Sequence, residues 1–217
     1  RDLHSFPTRR SSDLNLDTVS VYAFKNCRNL TSINMPNVKS IMQGAFDTTG
    51  LYSLSLSLCE TIAQSAFAYC SNLTEIHLPV CTYIGSYAFE HCSNLANVEL
   101  NQLSSCDIGN LFYPSVSNLI TLSLENCTTL NLAYNMIVKT VYAPLANLSS
   151  RVSSIFTAIE SATFGNAYTI SSQFENCSTL KYIAMPSCTQ IASKTFASCG
   201  ALCFASFGSD RDRKSVV

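Results

Sequence analysis

The chain has 217 residues, 47% hydrophobic and only 12% charged, with a net charge of −1 and 11 cysteines. That content is too apolar for a disordered chain and too evenly interrupted for a membrane span. The near-neutral balance leaves no electrostatic footprint for nucleic acid or anionic lipid, so the expectation is no nucleic-acid partner and no membrane insertion.

In chain order, the two ends stand apart. His4 to Asp13, HSFPTRRSSD, is the translation of cac tct ttc cct aca cga cgc tct tcc gat, which resembles a sequencing-library adapter. The tail Asp212 to Val217, DRKSVV, is encoded by gatcggaagagcgtcgtg, the reverse complement of a string inside the codons for Thr8 to Leu14. Two unrelated termini should not share one DNA word on opposite strands. Residues 1–13 and 212–217 are therefore read as adapter-derived, and the Arg9-Arg10 pair is set aside as a basic arm or export signal. Without these ends Lys plus Arg falls from 13 to 8 and the acids from 14 to 11, so residues 14–211 carry about −3. A stretch of that length fits one domain with a sizeable core.

Residues 14–211 are built on one rhythm. Leading apolar residues fall at Leu30, Leu51, Leu73, Leu95, Leu119, Val138, Ile159, Leu180 and Leu202, in steps of 19 to 24 residues. Three and five residues after each leader comes an apolar pair, as in Leu54 and Leu56, Ile76 and Leu78, Val98 and Leu100, or Ile183 and Met185. Period 2 marks a short strand whose pair points inward while its neighbours face solvent. The second half of each unit reads I-x-x-x-A-F-x-x-C-x-x-L, as in Ile62 to Leu73, with Phe24, Phe46, Phe67, Phe89, Phe174 and Phe196 as recurrent plugs. A helical turn or short helix on the far side would bury Phe and the following Cys or Leu together.

The stretch Leu73 to Leu95, LTEIHLPVCTYIGSYAFEHCSNL, shows the unit whole: L-x-x-L-x-L-x-x-C, then Ile84-Gly85, Ala88-Phe89 and Cys92-Ser93-Asn94-Leu95. It resembles the BspA-type leucine-rich repeats, also called the Treponema pallidum type. The resemblance covers roughly residues 14 to 208 and implies an α/β repeat solenoid. Short parallel strands would line the concave face, with turns and short helices on the convex face. It implies about eight full repeats over 14–211, with partial units at both ends. The middle departs from the pattern. Cys106 and Asp107 look inserted before Ile108-Gly109, Phe112-Tyr113-Pro114 replaces Ala-Phe, and residues 147–159 suit a helix. The leaders keep their rhythm, so the strand ladder is expected to run unbroken.

The cysteines follow the repeat. Cys27, Cys70, Cys92, Cys177 and Cys199 lie three after the Phe position, and Cys59, Cys81, Cys127 and Cys188 three after the second strand residue. Only Cys106 and Cys203 fall outside these ladders. Stacked equivalents would lie about 5 Å apart, within reach of a bridge. A recurring core position needs no pairing to explain it, so buried thiols are expected. Zinc lacks a C-x-x-C. Outside the adapter only His77 and His91 remain, with no nucleophile or Asp implied beside either, and neither a nucleophile elbow nor a phosphate loop occurs. No catalytic residue, cofactor or metal is expected. Asn-x-Ser/Thr at Asn29, Asn72, Asn126, Asn147 and Asn176 reads as repeat grammar before glycosylation.

Function is then left to outward residues of the strands, most of them small and polar. The candidates for partner contact are Glu75, His77 and Glu99 as a polar cluster, and Tyr142, Tyr182 and Phe204 as aromatic anchors. The resemblance implies a non-catalytic binding module of a bacterial surface or secreted protein, holding a protein or glycan ligand on the concave face, at an extracellular or cell-surface location. The alternative is a passive spacer within a larger protein. Solenoid ends need caps, so apolar surface is expected around Leu16 and Val19 and around Phe204 and Phe207.

Overall fold

The computed structural model describes residues 16–112, 119–131, 138–146, 158–165, 169–170 and 174–208. The adapter-like ends, Tyr113-Pro114, Asn147 and nearly all of the helix expected over 147–159 lie outside the described residues.

Eight strands form one parallel sheet: Ser53–Ser55, Glu75–His77, Asn97–Glu99, Leu119–Ser123, Val138–Ala143, Ser161–Phe164, Tyr182–Met185 and Phe204–Phe207. Each pairs with the next in chain order, so the expected ladder runs unbroken through the irregular middle. The register pairs inward residue with inward residue, as in Leu54 with Ile76 and Ile76 with Val98. A one-residue slip would turn every inward side chain outward, so burial of this row fixes the register. From Leu54 to Met185 both members of every inward pair are buried. The first unit is weaker: Met35 is buried, Ile33 only partly, and neither lies in a strand.

A second ladder flanks the first. Thr18–Val19, Ser40–Ile41, Thr61–Ile62 and Tyr83–Ile84 form a four-stranded parallel sheet. Ser105–Asp107 pairs with Thr129–Asn131, and Thr169–Ile170 with Gln190–Ile191.

Among the described residues the far side is a run of overlapping tight turns, with one short helix at Ile108–Phe112. The N–H of Ala66, Ala68 and Cys70 bonds back three residues to Ala63, Ser65 and Phe67, while the alternate N–H of Ser65, Phe67 and Tyr69 crosses to Ser86, Ala88 and Glu90 of the next coil. Half of the amides are satisfied within a coil and half between coils, so a buried arc closes without a helix. The geometry demands left-handed residues: Ser65 and Tyr69 have φ of 53° and 59°, and Tyr87 and His91 repeat it at 61° and 56°. Position i+2 of a type II turn requires such a φ.

Inside the arc the plugs stack. Centroids of Phe24 and Phe46 lie 5.1 Å apart, Phe46 and Phe67 5.2 Å, and Phe67 and Phe89 5.9 Å. The column continues to Phe112 at 5.7 Å, and the Phe89 N–H bonds to Leu111 O as the Phe67 N–H does to Ala88 O. Leu111-Phe112 thus occupies the Ala-Phe position that the sequence had seemed to lose. Cys106 is also no insertion. It is buried opposite Leu130, at the place that Ile84 holds one coil earlier. The extra residue falls between Cys106 and Phe112, where the helix absorbs it.

At the ends Leu16 and Phe204 are exposed, as expected, and Phe207 is partly so. Val19 is buried instead, because Thr18–Val19 already pairs with Ser40–Ile41.

Candidate functional site

Each outward strand residue repeats once per coil, so the eight strands present parallel rows of side chains. One row runs Ser53, Glu75, Asn97 and Thr121, and the next Ser55, His77, Glu99 and Ser123. His77 and Glu99 are directly opposed, and His77 Nδ1 lies 2.5 Å from Glu99 Oε2. Both side chains are about half exposed, at 53% and 48%, so the pair can still meet a partner. Glu75 stands on the same strand as His77, in the neighbouring row. Together with Ser53, Ser55 and Asn97 these residues line a hollow of about 340 Å³ floored by Leu54 and Ile76. All three members of the expected polar cluster therefore share one site. Its contents are two carboxylates, an imidazole, two hydroxyls and an amide, a set suited to many hydrogen bonds with a polar ligand.

The expected aromatic anchors divide. Tyr182 and Phe204 are register neighbours and exposed, at 50% and 53%. Tyr142 is exposed but lies in the other row, opposite Ser123 and Thr163. The strand Leu119–Ser123 separates it from the polar hollow, and Ser161–Phe164 from Tyr182.

A further row at the strand entrance was not singled out from the sequence. It carries Lys139, Glu160 and Lys181 in successive coils, and Lys181 Nζ lies 2.7 Å from Glu160 Oε2. The hydrogen bond and charge of Lys181 lower the Glu160 pKa, and Glu160 raises that of Lys181 in return. Exposed Ile120 stands in the same row. The signal was available one residue after each leader.

The cysteines are core. None is in a disulfide, and eight of the eleven are buried. Cys70, Cys92 and Cys199 donate their S–H to the carbonyls of Phe46, Phe67 and Phe174, the plugs of the preceding coil, at 3.0 to 3.1 Å. Thr49 fills the same place where Cys is missing, its hydroxyl 3.2 Å from Cys70 Sγ. In the second ladder Cys59 and Cys81 bond to the carbonyls of Thr61 and Tyr83. Burial pushes the Cys59 thiol up to about 12 and that of Cys81 up to about 11. Such thiols are poor nucleophiles at neutral pH. Among the described residues no group of three or more His, Cys, Asp or Glu could hold a metal ion, and no helix is long and apolar enough to cross a membrane.

Among solved structures the chain is similar to a leucine-rich repeat protein from Bacteroides ovatus, with 20% identity and a TM-score of 0.48, over 86% of this chain and 57% of that one. It is also similar to a leucine rich cell surface protein from Faecalibacterium prausnitzii, with 17% identity and a TM-score of 0.32, over 90% of this chain and 58% of that one. The chain thus spans less than two thirds of the length of either. No curated protein matches it. The family model of the BspA type leucine rich repeat region matches in six copies, over residues 10–119, 39–170 and 134–211. Those copies cover the ladder, the plug column and both cysteine rows, and the chain belongs to the BspA-type leucine-rich repeat family.

Proposed function

We propose that this chain is a non-catalytic binding module of a bacterial cell-surface or secreted protein, recognising a protein or glycan through the outward rows of its eight-stranded face. The observation that carries the reading is the hollow formed by Glu75, His77 and Glu99, where polar side chains from three coils converge over an apolar floor. A solenoid face offers an extended surface whose neighbouring rows supply many contacts at fixed spacing. Tyr182 and Phe204 add a rigid aromatic pair three strands further on than Leu119–Ser123, as anchors at a second point. Surface display rests on the family alone.

A spacer role is the second reading, favoured by the small hydroxyl residues Thr121, Ser123, Thr140, Ser161 and Thr163 that fill the middle of the face. Probing an array of purified extracellular proteins and glycans with the labelled chain separates the two. The binding reading expects saturable capture by particular spots that is lost when Glu75, His77 and Glu99 are all replaced by Ala. Uniformly blank spots, or capture indifferent to those changes, would favour the spacer.

A further inference from the structure

Two carboxylates of this solenoid are neutralised by a lysine one coil earlier or later: Lys25 Nζ lies 2.8 Å from Asp47 Oδ2, and Lys181 Nζ 2.7 Å from Glu160 Oε2. The carboxylates of the polar hollow have no such neighbour. Glu75 stands between Ser53 in the coil before and Asn97 in the coil after, and Glu99 between His77 and Ser123. Among the described residues the Glu75 carboxylate makes no hydrogen bond or ion pair, and Glu99 makes one, through Oε2 to His77 Nδ1. No Lys or Arg lines the hollow. With a neutral imidazole the site carries two negative charges and with an imidazolium it carries one, so it is anionic in either state of His77.

The lining selects among cations. Glu75 and Glu99 stand on adjacent strands, two residues apart in register, a diagonal that separates their Cα atoms by about 7–8 Å. A group between them must donate in two directions at once. A guanidinium does so, with five N–H donors in a planar fork and a charge that is always present. An ammonium is a compact, strongly hydrated point charge, which meets one carboxylate well and the other poorly. The Asn97 amide oxygen and the Ser53 and Ser55 hydroxyls have no protein partner among the described residues and accept the remaining donors. Beneath them the buried Leu54 and Ile76 form an apolar floor suited to the methylene stem of an arginine. Sugar hydroxyls can also donate to this lining, but they leave both charges unanswered. Resting on the reading of this hollow as the binding surface, we infer that its occupant is an arginine side chain of a protein partner, its guanidinium bridging Glu75 and Glu99. The bond from His77 holds one oxygen of Glu99 and leaves Oε1 for the ligand.

Titration of the intact, isotope-labelled chain with the peptide acetyl-Gly-Arg-Gly-amide, read by backbone amide chemical shifts, tests this against acetyl-Gly-citrulline-Gly-amide, in which a neutral urea of nearly the same shape replaces the guanidinium. The arginine peptide is expected to give saturable shifts centred on Glu75, His77, Asn97 and Glu99, weakened by added salt. The citrulline peptide should bind about tenfold more weakly, the loss of a charge-assisted hydrogen bond, and Glu75→Gln/Glu99→Gln should lose the arginine response to the same degree. Gln matches Glu in shape, and an unchanged spectrum outside the hollow establishes that the double variant is folded. Equal responses to the two peptides, a response that survives both Gln changes, or no response at the hollow would overturn the arginine occupant. Methyl glucoside and methyl N-acetylglucosaminide are titrated alongside. Shifts at the hollow from a glycoside and none from the arginine peptide would overturn this inference while leaving the hollow a binding surface. The binding surface itself is judged separately, by whether array capture is lost with Glu75, His77 and Glu99.

Discussion

At the residue scale, the same side-chain type does different work according to the row it occupies. Three after the plug, Cys70 and Cys92 are buried thiols tied to the preceding coil, whereas Cys27, in the same place of the first coil, and Cys203, outside both ladders, are exposed. Native-state alkylation near pH 8 should therefore modify Cys27 and Cys203 rapidly and the buried rows only after unfolding, which peptide mass spectrometry reads directly. The raised thiol pKa values also fix a pH dependence. A group whose folded pKa is raised stabilises the fold below its unfolded value and loses that contribution as pH rises toward its folded value. For Cys59 and Cys81 the window runs from 9.0 to about 12 and about 11. Denaturant midpoints should fall as pH climbs above 9, and less so in Cys59→Ala/Cys81→Ala than in the parent chain. The two ladders were legible because Cys recurred at a fixed offset. Cys106 was missed because it stands at an Ile position, 22 residues after Ile84, where the other units carry no Cys.

At the element scale, the strands were the most readable part, because alternation of buried and exposed residues is a direct consequence of the pleat. The turn arc was less so. Its spacing of Ile, Phe and Cys also fits a helical face, and what distinguishes it is a left-handed backbone at Tyr22, Tyr69 and Tyr87, residues that carry no such preference. Inter-coil bonds pin those residues in place, a tertiary effect that local pattern does not announce. The plug column should bear much of the stability: Phe67→Ala, which opens a cavity between Phe46 and Phe89, is expected to cost roughly 3–5 kcal/mol in chemical denaturation. Gly85 is a second sensitive point. A Cβ there would sit 2.5 Å from Gln64 N and 2.8 Å from Ala63 C, both backbone, so Gly85→Ala must force two coils apart. Its melting midpoint should drop far more than that of Ala63→Ser, a change at a neighbouring place in the preceding coil.

At the scale of the whole molecule, each coil touches mainly its neighbours, so stability accumulates coil by coil. Among the described residues the strand Phe204–Phe207 is paired on one edge only and displays Phe204 to solvent. An open apolar edge invites edge-to-edge association. Replacing Phe204 by Lys should shift the chain toward monomer in size-exclusion chromatography, and an unchanged elution profile would show that the edge is not sticky. How the face is used was only partly legible. The polar cluster could be named because Glu75 and His77 alternate along one strand and Glu99 recurs one coil later. The hollow depends on Ser53, Ser55 and Asn97 as well, and the division of Tyr142 from Tyr182 follows from row and register together.

The most direct test of the functional account is the binding isotherm of Glu75→Ala/His77→Ala/Glu99→Ala against a partner captured by the parent chain, measured beside its thermal midpoint. All three side chains are solvent-facing. The account predicts at least a tenfold loss of affinity with the midpoint unchanged. Full affinity in a folded triple variant would contradict it and remove the hollow as the working surface of the protein.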